Sequence, residues 1–384
     1  MRLTCNRKKL LEALQTVGQS AATKTNRPIL GNVKAVATAS NMFENAESPQ
    51  SLTLFATDLE KGMRLTYADP FLKIHDGGEF IIPHVKVCGI LKEASGDEVS
   101  LHMEGSTLHV KTATGVYKLP TDAPAEFPDL DTAVSGTTVT VKSSDFHTAF
   151  RYVHYAAGKE NTRFALVGVL CEIHEESITL VATDTKRLAV VSIPHATPQH
   201  GTLPSGILPV SALRLVDSLA GDSADDCITI TLAPNAALFS TSEGVVYTRL
   251  VEGRYPPYRD IIPKKEAVTA EITVQVAGFH SAVRQAAIMV DSESQRVKFD
   301  FKQDLLTLHA QGATTGQSEV TFGVNYHGKE MPILFDPKFV TEMLHAVPSS
   351  EELKICLVSS SRPAVFRLGS AFTYLVMPLS GDAA

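Results

Sequence analysis

Apolar and polar residues alternate along most of the chain in short runs broken by turn residues. Ser177-Ile178-Thr179-Leu180-Val181-Ala182, Val99-Ser100-Leu101-His102-Met103, Thr107-Leu108-His109-Val110-Lys111, Ile228-Thr229-Ile230-Thr231-Leu232 and Leu305-Leu306-Thr307-Leu308-His309 all read this way. Side chains of a strand point alternately to its two faces, so period-two runs predict half-buried strands. Between the Ser177 run and the following Ala189-Val190-Val191-Ser192-Ile193 lies Thr183-Asp184-Thr185-Lys186-Arg187-Leu188. An Asp beside a hydroxyl suits a tight turn, because both side chains can hydrogen-bond nearby backbone. The stretch therefore predicts a hairpin.

The same words occur earlier, as Ala56-Thr57-Asp58 followed by Arg64-Leu65, 126 residues before Asp184. Recurrence at such a distance points to a repeated unit. Thr4, Thr140 and Thr273 correspond at offsets of 136 and 133, each opening a strand that turns into a helix. Leu10, Phe146 and Phe279 follow in register, then Ala13, Ala149 and Ala282. The helical spacing of Leu10, Leu11, Leu14 and Val17 gives the first of these helices an apolar face. A second helix is predicted in each repeat after a Pro, over Val85 to Ala94, Ser211 to Ala220 and Lys338 to Ala346. Each repeat closes on one more strand, at Val116–Leu119, Val246–Leu250 and Phe372–Val376. The predicted fold class is α+β, with three tandem copies of one domain over 1–131, 132–263 and 264–384. The stretch Ser40 to Ser51 has no counterpart of matching length and is expected to be a surface insertion.

Composition narrows the function. Hydrophobic residues make up 44% of the 384 and charged residues 20%, as in an ordinary globular protein. No apolar run reaches membrane-spanning length, and the start lacks the apolar centre of a signal peptide, so a cytoplasmic protein with no membrane partner is expected. The five scattered cysteines show no metal-ligand spacing, which predicts reduced thiols and no metal. No phosphate-cradling loop, His-Glu-x-x-His or Cys/His cluster is present, so neither a cofactor nor a catalytic centre is expected. A net charge of −7 argues against a simple basic nucleic-acid binder. The charge is unevenly spread, however. The predicted helices and their entries carry Arg7, Lys8, Lys9, Lys86, Lys92, Arg151, Arg214, Arg284 and Lys338 against Glu12, Glu93, Asp145, Asp217 and Glu342. An acidic protein with net basic helices can hold phosphates weakly, without reading sequence.

These repeats, the two Ala-Thr-Asp hairpins, Pro28-Ile29-Leu30-Gly31-Asn32, Arg254-Tyr255-Pro256-Pro257-Tyr258 and the ending Tyr374-Leu375-Val376-Met377-Pro378-Leu379 resemble the bacterial sliding clamps. That family comprises the beta subunits of DNA polymerase III, and the resemblance spans Met1 to Leu379. It implies a head-to-tail homodimer whose six domains close into a ring around duplex DNA, helices lining the hole. It also implies a pocket between the second and third domains for short linear peptides of the polymerase III alpha subunit, the clamp loader, other polymerases and repair proteins. By motif its walls would be Leu166, Thr183, Thr185, Lys186, Arg187, Leu188, Pro256, Ile261, Leu375, Val376, Met377, Pro378 and Leu379. Arg187 and Thr183 would hold peptide polar groups. DNA contacts would come from Lys24, Arg163, Phe164, Arg7, Lys8, Lys86, Arg151, Arg214 and Arg284.

The chain departs from the family pattern at several places. Thr185-Lys186 replaces a usual Gly-His, which narrows backbone freedom; Asp260 replaces a common basic residue; and Ala165 removes one aromatic ring. The tail Ser380–Ala384 runs past the usual ending, either covering the pocket or hanging free. Two other readings remain open from sequence alone: a peptide-binding scaffold that does not encircle DNA, and an unrecognised enzyme on a repeat scaffold.

Overall fold

The structure, a computed structural model, describes residues 1–39, 50–129, 134–159, 164–197, 203–221, 223–291, 295–312 and 314–380, with the Phe164 side chain excepted. Most of the insertion and the last four residues of the tail lie outside the described residues. The described residues form six α-helices: α1 (Arg7–Gly18), α2 (His84–Glu93), α3 (Ser143–Val153), α4 (Val210–Leu219), α5 (Val276–Ala287) and α6 (Pro337–Ala346). They alternate as first and second helices of three repeats, with strands in between, which is the predicted α+β architecture.

Helix starts follow local chemistry. Asn6 caps α1 by accepting from the Lys8 and Lys9 N–H groups at 3.0 and 3.2 Å. Asp336 caps α6 by accepting from Lys338 N–H at 2.9 Å, with Pro337 as the first helical residue. Pro83 and Pro209 precede α2 and α4. The second helices therefore begin at His84, Val210 and Pro337, one residue before the predicted starts, with proline as the residue before the first turn in α2 and α4 and as its first residue in α6. They end at Glu93, Leu219 and Ala346, within one residue of the predicted ends, and Ala94, Ala220 and Val347 cap them.

The chain divides into two compact units, Met1–Phe146 with His195–Leu250 and His147–Pro194 with Val251–Ala384. The first unit holds a five-stranded sheet in the order Lys73–Asp76, Arg2–Asn6, Glu98–Glu104, Thr107–Lys111, Val116–Pro120. Its eight-stranded sheet runs Thr137–Lys142, Cys227–Leu232, Ala236–Ser240, Gly244–Arg249, Lys61–Tyr67, Ser51–Thr57, Val33–Thr38, Gly78–Ile82. The join between repeats is inside that sheet, where Gly244–Arg249 pairs antiparallel with Lys61–Tyr67, Gly244 opposite Leu65. The side chains of Leu10, Leu14 and Val17 are buried on α1. Burying each contributes about 1.5–3 kcal/mol.

In the second unit one sheet runs Gly168–Ile173, Ser177–Thr183, Arg187–Pro194, Phe372–Val376, Ala364–Leu368, Glu352–Leu357, Ala270–Gln275. Here too a hairpin strand of one repeat pairs with the closing strand of the next, Leu188 opposite Leu375 and Arg187 opposite Val376. A four-stranded sheet runs Gly316–Gly323, Leu305–Gly312, Val297–Lys302, Met331–Phe335. Its core is aromatic: Phe299 meets Phe335 at 5.2 Å and Phe279 at 6.5 Å between ring centroids, both edge-on.

Candidate functional site

The hairpin turns repeat atom for atom. Asp184 Oδ1 accepts from Lys186 and Arg187 N–H, both at 3.0 Å, and Thr183 Oγ1 accepts from Thr185 N–H at 3.2 Å while donating to the Arg187 carbonyl at 2.6 Å. In the first repeat Asp58 Oδ1 accepts from Glu60 and Lys61 N–H at 3.0 and 2.8 Å, and Thr57 Oγ1 serves Leu59 and Lys61 likewise. The first-repeat counterpart of Arg187 is therefore Lys61, not Arg64 as the shared Arg-Leu word predicts; each cation pairs with the Asp three residues before it. Asp sets this register, because its carboxylate captures the N–H groups two and three residues on.

Arg187 is only 4% exposed. Its Nε donates to Asp184 Oδ2 at 3.0 Å, Nη2 donates to the Tyr155 carbonyl at 2.6 Å, and Nη1 meets Glu342 Oε2 on α6. The guanidinium also lies over the rings of Phe339 and Tyr155, 4.6 and 5.6 Å from their centroids. Burial works to lower its pKa, but the neighbouring Tyr374, Glu342 and Asp184 outweigh burial and raise it. These bonds hold the guanidinium in place inside the second unit, and Thr183 Oγ1 is engaged within the turn. Tyr155, Phe339 and Glu342 were missed by sequence reasoning; the only signal was a carboxylate on the apolar helix α6.

The remaining predicted wall residues sort by exposure. Leu166, Leu188, Leu375 and Val376 are buried, whereas Thr185, Lys186, Ile261 and Met377 are open to solvent. Met377 (39% exposed) donates its N–H to the Lys186 carbonyl at 2.8 Å, which puts both beside the hairpin tip. Pro378 and Leu379 are half-buried, and Leu379 N–H bonds to the Leu334 carbonyl at 2.8 Å. Pro256 follows Tyr255, whose hydroxyl donates to the Val181 carbonyl at 3.1 Å, so this linker lies along the hairpin. Ile261 (46% exposed) ends the short turn Tyr258–Ile261. A separate cleft of about 1090 Å³ is lined by Leu166, Thr185, Lys186 and Arg187 from the predicted set, with Val290 and Phe339 among its other walls.

The turn is clasped to the Gly168–Ile173 strand. Arg259 donates to both Glu172 carboxylate oxygens at 3.0 and 2.6 Å, and Tyr258 Oη donates to Oε2 at 2.7 Å. Burial would raise the Glu172 pKa, but these bonds and the Arg259 charge outweigh it and hold the carboxyl below its usual range. Among the described residues no group of three or more His, Cys, Asp or Glu is placed to hold a metal ion. Burial pushes the Cys171 thiol up to about 12 and leaves it unreactive.

Of the predicted DNA contacts, Lys24, Lys8, Lys86, Arg151, Arg214 and Arg284 are exposed. Arg7 is half-buried: its Nε donates to the Gly96 carbonyl at 2.6 Å and Nη1 to the Leu91 carbonyl, closing the end of α2. Arg163 and the side chain of Phe164 lie outside the described residues.

Repeats of a two-helix, strand-rich domain, joined by shared ladders and presenting no metal centre among their described residues, define the DNA-clamp class of fold. The solved DNA polymerase III beta subunit of Thermotoga maritima has this fold, with a TM-score of 0.87 at 22% identity over 99% of this chain and 100% of that one. The sliding clamp of Bacillus subtilis matches at 0.88 and 18%, covering 99% of each. Family models for the DNA polymerase III beta subunit match consecutively: the N-terminal domain at 1–131, the central domain at 140–257 and the C-terminal domain at 259–380. The Escherichia coli (strain K12) beta sliding clamp is 26% identical over 99% of this chain and all of its own length. That of Synechococcus elongatus is 25% identical over 99% of each. The chain belongs to the DNA polymerase III beta subunit family, the bacterial sliding clamps. It is a replication processivity factor and not the catalytic polymerase. No helix among the described residues is long and apolar enough to cross a membrane.

Proposed function

We propose that two copies of the chain join head to tail into a ring that encircles duplex DNA, with repeats bounded near 1–131, 132–263 and 264–384. One observation carries this reading. Inside the chain, the hairpin strands Lys61–Tyr67 and Arg187–Pro194 each pair with the closing strand of the following repeat. Among the described residues the third hairpin's outer strand, Gly316–Gly323, ends its sheet without such a partner, and so does the first repeat's closing strand, Val116–Pro120. On the latter Val116 is 59% and Tyr117 40% exposed, an apolar edge of the kind that another strand covers. Pairing the two free edges between copies repeats the internal joint and closes after two chains.

In this arrangement the exposed lysines and arginines of the helices face phosphates and hold DNA loosely, so retention comes from encirclement. The surface around Lys186, Pro256, Ile261, Met377, Pro378 and Leu379 receives short linear peptides of the polymerase III alpha subunit, the clamp loader, other polymerases and repair proteins. Met377 suits a site that accepts many sequences, since an unbranched thioether repacks easily. The cytoplasm is where such a factor meets the replication machinery.

Small-angle X-ray scattering at several concentrations tests the ring. A particle of twice 41.4 kDa whose curve requires a central hole is expected. A monomer throughout, or a compact dimer, would sink the proposal.

A further inference from the structure

The turn Tyr258–Ile261 carries two charges side by side, and the fold neutralises one of them. Arg259 is bound through both terminal nitrogens to Glu172, with its guanidinium 4.7 Å from the centroid of the Tyr258 ring. Tyr258 donates to the same carboxylate. Arg259 is therefore paired within the clasp, although its side chain stays largely open to solvent. Asp260 is exposed, and its carboxylate has no hydrogen-bond or ion-pair partner among the described residues. Next to it Ile261 presents an apolar side chain to solvent. The other basic residues of the linker, Arg254, Lys264 and Lys265, lie outside the turn.

The clasp does more than remove a cation. It fixes the backbone that carries Asp260 and Ile261, so a free carboxylate and an apolar anchor point stand together on a rigid element before any ligand arrives. Glu172 faces Thr179 across its strand pair, well back from the hairpin tip that carries Lys186. Two exposed charges of opposite sign thus stand on these elements: the Lys186 amine at the tip, whose charge acts on Asp336, and beside the clasp the Asp260 carboxylate, with no partner among the described residues.

We infer that the site selects linear peptides bearing a basic residue beside the apolar anchor that sits on Ile261, and that Asp260 is the residue reading that charge. This rests on the peptide-binding reading above. The pairing is solvent-exposed, so it sorts ligands by a few-fold and does not decide binding alone.

Paired synthetic peptides with the same leucine and phenylalanine anchors, flanked by either two lysines or two glutamates, make the test by fluorescence anisotropy against the full-length protein. The lysine peptide should bind about threefold to fivefold tighter at low salt, with the gap shrinking as salt rises. Asp260→Lys should reverse the order. Equal affinities, or an order unchanged in Asp260→Lys, would overturn the inference, provided Met377→Ala with Leu379→Ala still weakens both peptides. If that double variant leaves both affinities untouched, the peptide site itself is elsewhere and the underlying reading fails with it.

Discussion

Leu59 and Thr185 adopt the same left-handed backbone conformation, each at φ 77°, in hairpins of different repeats. The turn demands it, because Asp58 and Asp184 can collect their two N–H groups only if the residue after them reverses the chain. A side chain with a branched β-carbon fits this region worst. Thr185→Gly should therefore stabilise the protein by about 1 kcal/mol, strain relieved minus the extra flexibility of glycine when unfolded. Leu59→Gly should gain less. Urea unfolding midpoints measure both; a loss of stability in Thr185→Gly would show that the turn is not strained.

Arg187 is the cation on which three parts of the second unit converge. Arg187→Ala would leave the Asp184 and Glu342 carboxylates and the Tyr155 carbonyl without their partner, at a cost of about 3 kcal/mol or more. Glu342→Gln keeps a hydrogen-bond acceptor and should cost about 1 kcal/mol. Chemical denaturation of the two variants checks the order, and near-equal values would refute it.

The fold was legible because its signals are local: period-two strands, amphipathic helices and the Asn6, Asp336 and proline starts. The hairpin was legible for the same reason, down to its Thr-Asp turn. What the sequence concealed were the partners. Glu342 lies 155 residues from Arg187, and Arg259 lies 87 from Glu172; nothing in local spacing connects them. Matching words misled once, when Arg64 stood in for Lys61, because turn geometry counts positions from the Asp and not from the next arginine. Nor does the sequence connect Arg7 with the carbonyls at the end of α2 that it bonds, 84 and 89 residues away.

The free edge at Val116–Pro120 makes a prediction about assembly. Tyr117→Asp sets a charge in the middle of a strand edge and should shift the dimer towards a 41.4 kDa monomer by about a hundredfold in Kd, read by light scattering on a size-exclusion column. An unchanged dimer would move the interface elsewhere.

Direct DNA binding should separate phosphate contacts from structural cations. Lys86→Ala and Arg214→Ala should each lower the slope of log affinity against log salt on a short linear duplex by about 1. Arg7→Ala should leave that slope alone and lower the melting temperature. The reverse pattern would exchange their roles.

The clasp predicts an acid response. The folded pKa of Glu172 is depressed, so its contribution is complete above the ordinary Glu value of about 4.3 and fades as pH falls through the lower folded value. Glu172→Gln removes that titration, so the stability gap between wild type and variant should be constant near neutrality and narrow below pH about 4. A gap that widens on acidification would contradict the assigned shift.

The ladders that join one repeat to the next also make the connecting polypeptide redundant. Leu188 against Leu375 and Gly244 against Leu65 belong to continuous hydrogen-bonded strand pairs, whichever way the covalent chain passes between the repeats. A nick in the linker after Val251 would leave Arg187–Pro194 still hydrogen-bonded to Phe372–Val376. Such a joint is indifferent to whether its two sides come from one gene product or two, so the number of repeats strung on a single chain is free to vary while the joint is kept.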